Sequence, residues 1–393
     1  MSSQQRAYEQ PRTFTAQLGD QTILIHSKPG MPYWDSVSPA SRLLGEVVQP
    51  AFDARALLLG CGHGALGVAI ARQAPAGEVV LLDINAIAVA MAQRTLAANA
   101  IRNARVWAAI SVLPERALSF DLALLETPND RKLARRWLVE AFHALAVGGE
   151  LYLAGANDQG IRSIVADAAA LFGNAGLLGY KRGQRVARAQ KFAEQSAEVE
   201  WAAAPGIAPG TWHEFTIELR GQKLQLRSLP GVFAYDRLDE GTRLLLETIT
   251  PPTGARVLDI GCGCGTIGLL ASKLGAAYVD LVDVNLLAVA AAVENIVRNR
   301  IDGARAFASD GVPAERADWY DVVLSNPPFH VGKAVDYAVA NAFIAQTRRA
   351  LRPGGQFVVV ANQFIRYDQL LRAAFEQVEC LAETRSYRVW QAY

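Results

Sequence analysis

Asn326, Pro327, Pro328 and Phe329 form the most chemically pointed run in the chain. An asparagine side-chain oxygen and the carbonyl of the following proline are two neighbouring acceptors. Together they can hold both hydrogens of an –NH2 group and leave the nitrogen lone pair aimed at a reaction partner. An exocyclic amine on a nucleobase needs this help, because its lone pair is delocalised into the ring. The prolines fix φ and deny the loop alternative conformations, so the acceptors are in place before substrate arrives. Phe329 offers a face on which a flat base can stack, worth on the order of 1–3 kcal/mol. His330 follows, placed either to touch substrate, to take up a proton or to pack beneath the loop.

A second constellation lies upstream. Asp259 sits near the end of an apolar run, and Gly261-Cys262-Gly263-Cys264-Gly265 leads into a helical pattern. Glycines let a backbone approach a ligand closely and adopt positive φ, yet such a turn also serves dinucleotides, or no ligand at all. Three further residues narrow the choice. Asp283 closes the next apolar run, where a carboxylate can accept both hydroxyls of a ribose. Asp310 closes the third, where it can accept a hydrogen bond from an adenine amine, and Asn326 ends the fourth. Acidic residues or Asn at four consecutive strand ends resemble the layout of class I methyltransferases. The cofactor this implies is S-adenosyl-L-methionine, contacted by Asp259, Gly261, Gly263, Gly265, Asp283, Asp310 and Asn326. Its sulfonium tolerates an acidic neighbour, whereas a pyrophosphate prefers bare N–H groups at a helix start.

The elements that must position these residues occur twice. Leu57–Gly64 matches Leu258–Gly265, Leu81–Asn85 matches Leu281–Asn285, Phe120–Pro128 matches Tyr320–Pro328, and Ala146–Leu153 matches Arg352–Val359. Four ordered matches at an offset near 200 residues indicate a tandem duplication. Ala56–Leu59 and Ala255–Ile260, Val79–Asp83 and Tyr278–Asp283, and Leu122–Leu125 and Val322–Leu324 read as strands. Alanine-rich helices are expected over Ala86–Ala98 and Leu286–Arg298. Strands alternating with helices predict an α/β fold: two tandem class I, Rossmann-like domains, each a mostly parallel sheet with helices on both faces. The expected division is 1–204 and 205–393, with the connection within Ala193–Gly210, which carries the Ala/Pro/Gly-rich stretch Ala202–Gly210.

The two copies differ where chemistry would occur. The first has Leu58 in place of Asp259 and Glu126-Thr127-Pro128 in place of Asn326-Pro327-Pro328, with no aromatic after it. Asp83 survives, so the first copy can at most retain cofactor binding, and the second is the one equipped for catalysis.

Bulk properties exclude several classes. The 393 residues carry a net charge of +1, so any nucleic-acid contact needs a local patch. Lys181, Arg182, Arg185, Arg188 and Lys191 form one such cluster, read either as a phosphate-binding face or as a solvated basic surface. The four cysteines make no CxxC pair, so neither a metal site nor a disulfide framework is expected. No apolar run approaches the ~18 residues of a membrane span, and the polar start lacks a signal core. These features predict a cytoplasmic protein without metal or membrane attachment.

With Asn326-Pro327-Pro328-Phe329-His330 and Gly332 in view, the chain resembles the tandem-domain guanine-N2 methyltransferases of ribosomal RNA. The similarity extends to Leu229-Pro230-Gly231-Val232-Phe233 and Val360-Ala361-Asn362. Among them the enzymes acting on guanine-1207 of 16S rRNA look closest; their 23S rRNA paralogues share the same loop. The resemblance implies a catalytic C-terminal domain and a degenerate N-terminal domain that aids folding and RNA binding. It further implies that Phe233 lines the cofactor pocket, that ribosomal RNA in the 30S subunit is the substrate, and that the chain is a monomer whose halves form an internal pseudo-dimer. Methylation of a protein glutamine amide, which also uses an Asn-Pro-Pro turn, and a non-catalytic assembly factor are the alternatives. Phe329 argues against the first, and intact Asp259, Asp283 and Asn326 against the second.

Overall fold

The computed structural model describes residues 8, 10–113, 119–327 and 337–393. Two compact units divide the chain: Pro11–Trp212 is one, and Met1–Gln10 with His213–Tyr393 is the other. The division therefore falls eight residues beyond the expected 204/205 boundary, and the first ten residues join the second unit. The connecting segment stays with the first unit because it is pinned there. The Arg136 guanidinium donates to the Gly206 carbonyl at 2.9 Å, and Arg135 lies 4.9 Å from the Trp201 ring centroid.

The first unit opens with an antiparallel hairpin, β1 (Arg12–Leu18) and β2 (Gln21–Ser27). It continues through β3 (Ala56–Leu59), β4 (Val79–Asp83), β5 (Ala104–Ala108), β6 (Phe120–Glu126), β7 (Leu145–Ala156), β8 (Gly176–Lys181) and β9 (Gln184–Gln190). The second unit repeats the plan with hairpin β10 (His213–Leu219) and β11 (Gln222–Ser228), then β12 (Arg256–Ile260), β13 (Tyr278–Asp283), β14 (Ala304–Ala308), β15 (Tyr320–Ser325), β16 (Leu351–Asn362), β17 (Val378–Glu383) and β18 (Tyr387–Ala392). Each sheet has seven strands, ordered β5-β4-β3-β6-β7-β9-β8 and β14-β13-β12-β15-β16-β18-β17. The first five strands of each order run parallel, and the sixth, β9 or β18, lies antiparallel to both of its neighbours. The expected α/β tandem is the observed fold, and the helices Ala86–Ala98 and Leu286–Arg298 begin and end where the sequence placed them.

Physical detail explains the match. Strand β12 is buried from Val257 to Ile260 and β15 along its whole length, as strands covered on both faces must be. Asn85 and Asn285 cap the following helices, their side chains accepting the N–H of Ile87 and Leu287 at 2.9 and 3.0 Å. Gly265 enters its helix at φ 90°, and a Cβ there would lie 3.0 Å from the Leu281 side chain; only glycine fits both demands. The duplication reaches single hydrogen bonds. Asn99 bridges the backbone of Leu24 through both amide atoms, and Asn299 bridges Gln225 in the same way.

In the second sheet, the order in which the chain adds strands reverses between the parallel neighbours β12 and β15. Ile260 and Ser325 are register partners there, so the residues that follow them open onto one crevice. A crevice at such a switch point, beyond the carboxyl ends of parallel strands, is where this architecture holds ligands.

Candidate active site

A cleft of about 500 Å³ opens at that switch point, within the size range of small-ligand pockets. Gly261 and Gly263 form its floor, Asp283 and Phe233 stand at its walls, and Asn326 with Pro327 faces it from the end of β15. A Cβ built on Gly261 would meet nothing within 4 Å, so the loop leaves room directly above its backbone. Phe233 is 67% exposed, an apolar surface bordering the cleft.

Asp283 is held from below. Its Oδ2 accepts the Gly263 N–H at 3.0 Å and its Oδ1 the Asn285 N–H at 2.9 Å. Each carboxylate oxygen has a second lone pair for a ligand hydroxyl. Burial raises its pKa, and the two backbone donors work against that rise. Asn285 in turn donates from Nδ2 to the Gly231 carbonyl at 2.7 Å, tying the loop that carries Phe233 to the glycine turn.

Asp259 occupies a different place from the one its position in the sequence suggested. It is 0% exposed and sits beneath the loop, where its Oδ2 accepts the Gly268 N–H at 2.9 Å. That bond orients the first turn of the helix Thr266–Lys273, and Asp259 is not among the residues that line the cleft. No hydrogen bond reaches its Oδ1 among the described residues. Burial, and then the charge of Asp283, push its pKa up to about 7. Gly265 likewise shapes the turn and lies outside the cleft wall. Burial also pushes the Cys262 and Cys264 thiols up, which keeps both protonated and leaves them as packing groups.

Asp310 is flanked by the cleft residues Ser309 and Gly311. Its Oδ1 accepts the hydroxyl of Tyr8 at 2.8 Å, and Tyr8 itself is only 2% exposed. Asn326 donates from Nδ2 to Asp239 Oδ2 at 3.0 Å and to Thr242 Oγ1 at 2.9 Å. Pro328, Phe329 and His330 lie outside the described residues.

Several cleft residues escaped the sequence reading. Phe343 comes from the helix Tyr337–Ala350, while Asn362 and Tyr387 face the cleft as register partners on β16 and β18. Their replacement by Trp137, Ala156 and Gln184 in the first copy is the signal that was available. Asp239 announces itself only as a helix cap, and Tyr8 gives no sequence signal at all.

In the first copy one side chain fills the space equivalent to that above Gly261. Trp137, 4% exposed, stands where Phe343 stands in the second copy, and a Cβ on Gly60 would lie 2.9 Å from its ring. The indole therefore occupies the space that is open above Gly261. Asp83 keeps both backbone hydrogen bonds, from Gly62 at 2.8 Å and from Asn85 at 2.9 Å, but is 7% exposed. Glu126 is turned onto Ser38 and Ser41, whose hydroxyls donate to its Oε2 at 2.7 Å each.

The expected basic cluster is dispersed by the β8–β9 hairpin. Lys181 pairs with Glu46, Arg188 with Glu150, and Arg185 donates to Asn157 while lying over the Tyr180 ring. Lys191 is 3% exposed, with its ammonium on the Leu145 carbonyl at 2.7 Å, which withdraws it from any phosphate.

Comparison with known proteins agrees with this geometry. The methyltransferase small domain family matches residues 22–188 and again residues 223–391. The ribosomal RNA small subunit methyltransferase C of Pseudomonas entomophila is 34% identical over 276 residues, covering 70% of this chain and 80% of that protein. Its counterpart in Chromohalobacter salexigens is 37% identical over 274 residues, covering 69% and 77%. The solved structure of the T. thermophilus 16S rRNA N2 G1207 methyltransferase, in complex with AdoMet and guanosine, superposes with a TM-score of 0.80 at 30% identity over 99% of both chains. The chain thus belongs to the methyltransferase small domain family and, within it, to the tandem-domain small-subunit ribosomal RNA methyltransferases.

Proposed function

We propose that the protein transfers a methyl group from S-adenosyl-L-methionine to the exocyclic N2 amine of a guanine in 16S ribosomal RNA, at position 1207. The observation that carries this reading is the orientation of Asn326: its Nδ2 is bound behind the loop, which puts the oxygen end of the carboxamide on the opposite side.

The cleft fits the cofactor. Open space above Gly261 suits a ligand lying on the backbone, Asp283 offers acceptors for ribose hydroxyls, and an acidic surround suits a sulfonium. Phe233, Gly263 and Ser309 would hold its remaining surface, with Asp310 at the adenine edge. Asp259 acts from beneath by fixing the turn. When bound, the cofactor supplies an electrophilic methyl group on a positively charged sulfur.

The residues of the chain do the rest. Asn326 Oδ1 and the Pro327 carbonyl accept the two N2 hydrogens of guanine and turn its lone pair toward the methyl carbon. The N2–carbon bond forms as the carbon–sulfur bond breaks, and one N2 proton leaves to water, since neither acceptor is basic enough to keep it. Phe329 stacks on the base.

RNA docking on the first unit rests on Arg182, Lys181, Arg185 and Arg188; of these, Lys181 and Arg188 must exchange an exposed carboxylate partner for a phosphate. The assembled 30S subunit as substrate, a monomeric chain and a cytoplasmic location complete the reading. Among the described residues no helix is long and apolar enough to cross a membrane.

Transfer of tritiated methyl to 30S subunits, 50S subunits and naked rRNA, followed by nucleoside analysis, tests the reading. Label in N2-methylguanosine from 16S rRNA is expected. Label confined to protein or to the 50S subunit overturns it.

A further inference from the structure

An asparagine carboxamide has two orientations of nearly equal shape, and only one of them presents an oxygen to the substrate amine. The opposite orientation would point N–H donors at N–H donors. Pro327 fixes the backbone beyond Asn326, but a backbone cannot choose which end of the side chain faces forward.

We propose that Asp239 and Thr242 make that choice and are positioning residues for Asn326; this rests on Asn326 being the acceptor of the substrate amine. Asp239 caps the helix Glu240–Thr248, its Oδ2 accepting the Thr242 N–H at 2.9 Å. The same oxygen takes one hydrogen of Asn326 Nδ2 at 3.0 Å, and Thr242 Oγ1 takes the other at 2.9 Å. Both N–H groups are then used, and a carboxylate accepts without donating, so the flipped amide would face an anion with its oxygen. Thr242 is 8% exposed, which keeps water from competing for the bond.

The first copy supplies an internal comparison in which the helix cap is kept but both bonds to the strand-end residue are inverted. Ser38 caps the equivalent helix, accepting the Ser41 N–H at 2.9 Å. Ser38 and Ser41 stand where Asp239 and Thr242 stand, and their hydroxyls donate to Glu126, the residue in the place of Asn326. A strand-end donor is met by acceptors in the second copy, and a strand-end acceptor by donors in the first. The cap and the strand end have changed together. A cap needed only for its helix would have no reason to follow the strand-end residue.

Steady-state kinetics on the full chain, with cofactor affinity measured in parallel, test this. Asp239→Ser retains a good helix cap but is too short to hold Asn326, and Thr242→Val removes the second acceptor. Each is expected to lower kcat roughly tenfold to a hundredfold, leaving the RNA KM and the cofactor Kd within about twofold; Thr242→Ser, which keeps the hydroxyl, is expected to restore kcat. Unchanged kcat in folded Asp239→Ser or Thr242→Val overturns the proposal. So does a parallel loss of cofactor affinity, which would make Asp239 a cofactor ligand. If Asp239→Ser fails to fold, the Thr242→Val and Thr242→Ser pair decides alone. Asn326→Ala run alongside separates the two levels: turnover surviving that change removes the underlying reading, whereas its loss beside normal Asp239 and Thr242 variants removes only the positioning role.

Discussion

Tyr8 donates its hydroxyl to Asp310 Oδ1 at 2.8 Å across 302 positions of sequence, so the start of the chain reaches the rim of the C-terminal cleft. A hydrogen bond to a carboxylate contributes about 1.5–3 kcal/mol, and this one fixes the side chain assigned to the adenine edge. Tyr8→Phe keeps the buried ring and removes the hydroxyl that donates to Asp310. The cofactor Kd is expected to rise severalfold, at most about tenfold for each 1.4 kcal/mol transmitted to the ligand. Calorimetric titration reads it directly; an unchanged Kd would sever Asp310 from cofactor binding.

Asn326 and Asp283 face the same cleft but act on different partners, so their removal should leave opposite kinetic signatures. Asn326→Ala is expected to abolish turnover while cofactor affinity stays within about twofold, the mark of an interaction with the reacting amine. Asp283→Ala should weaken cofactor binding by ten- to a hundredfold, the cost of hydrogen bonds to a charged group. Loss of cofactor binding in Asn326→Ala would mean that the loop has been misassigned.

Asp259 makes stability depend on pH. Its folded pKa is about 7 against an ordinary value of 3.8, so between those values the folded protein holds a proton that the unfolded chain has released. Stability from this group is therefore greatest at the acid end and declines as pH rises toward 7, then levels off once both states are ionised. Asp83, raised to about 6, titrates in the same window, so a pH series on the parent alone would mix the two. The difference between the parent and Asp259→Asn isolates the one group, because the amide oxygen still accepts the Gly268 N–H. Between pH 5 and pH 8 the Tm of the parent should fall several degrees further than that of the variant. Parallel curves would show that Asp259 titrates as an ordinary carboxylate.

Much of this was legible in the residues because it rests on local rules. The strand ends at Asp283 and Asn326 follow from apolar runs closed by polar residues, and the helices Ala86–Ala98 and Leu286–Arg298 from their alanine-rich runs. What sequence could not supply was direction. Asp259 and Asp283 both sit near strand ends beside the same loop, yet one carboxylate is spent on the Gly268 N–H beneath that loop and the other borders the cleft. Lys191 reads as part of a basic cluster, but a hairpin alternates its faces and sends that lysine inward. Tyr8 and Asp310 meet only through the tertiary fold, and no spacing rule spans 302 residues.

Trp137 separates the two copies most economically. It packs on Gly60 at a distance that leaves no room for a ligand, whereas Phe343 stands clear of Gly261. Titration of the intact chain should therefore give one cofactor per chain, and two would contradict the plugged reading. Trp137→Ala should cost about 3–5 kcal/mol of stability, since it empties a buried aromatic site, and the stoichiometry should remain one. The emptied space would still lack the contacts of the second copy, with Pro32 in place of Phe233, Ile110 in place of Asp310 and Ala156 in place of Asn362. A second cofactor bound by Trp137→Ala would instead mean that the indole alone silenced the first domain, with Asp83 and its two backbone bonds still competent beneath it.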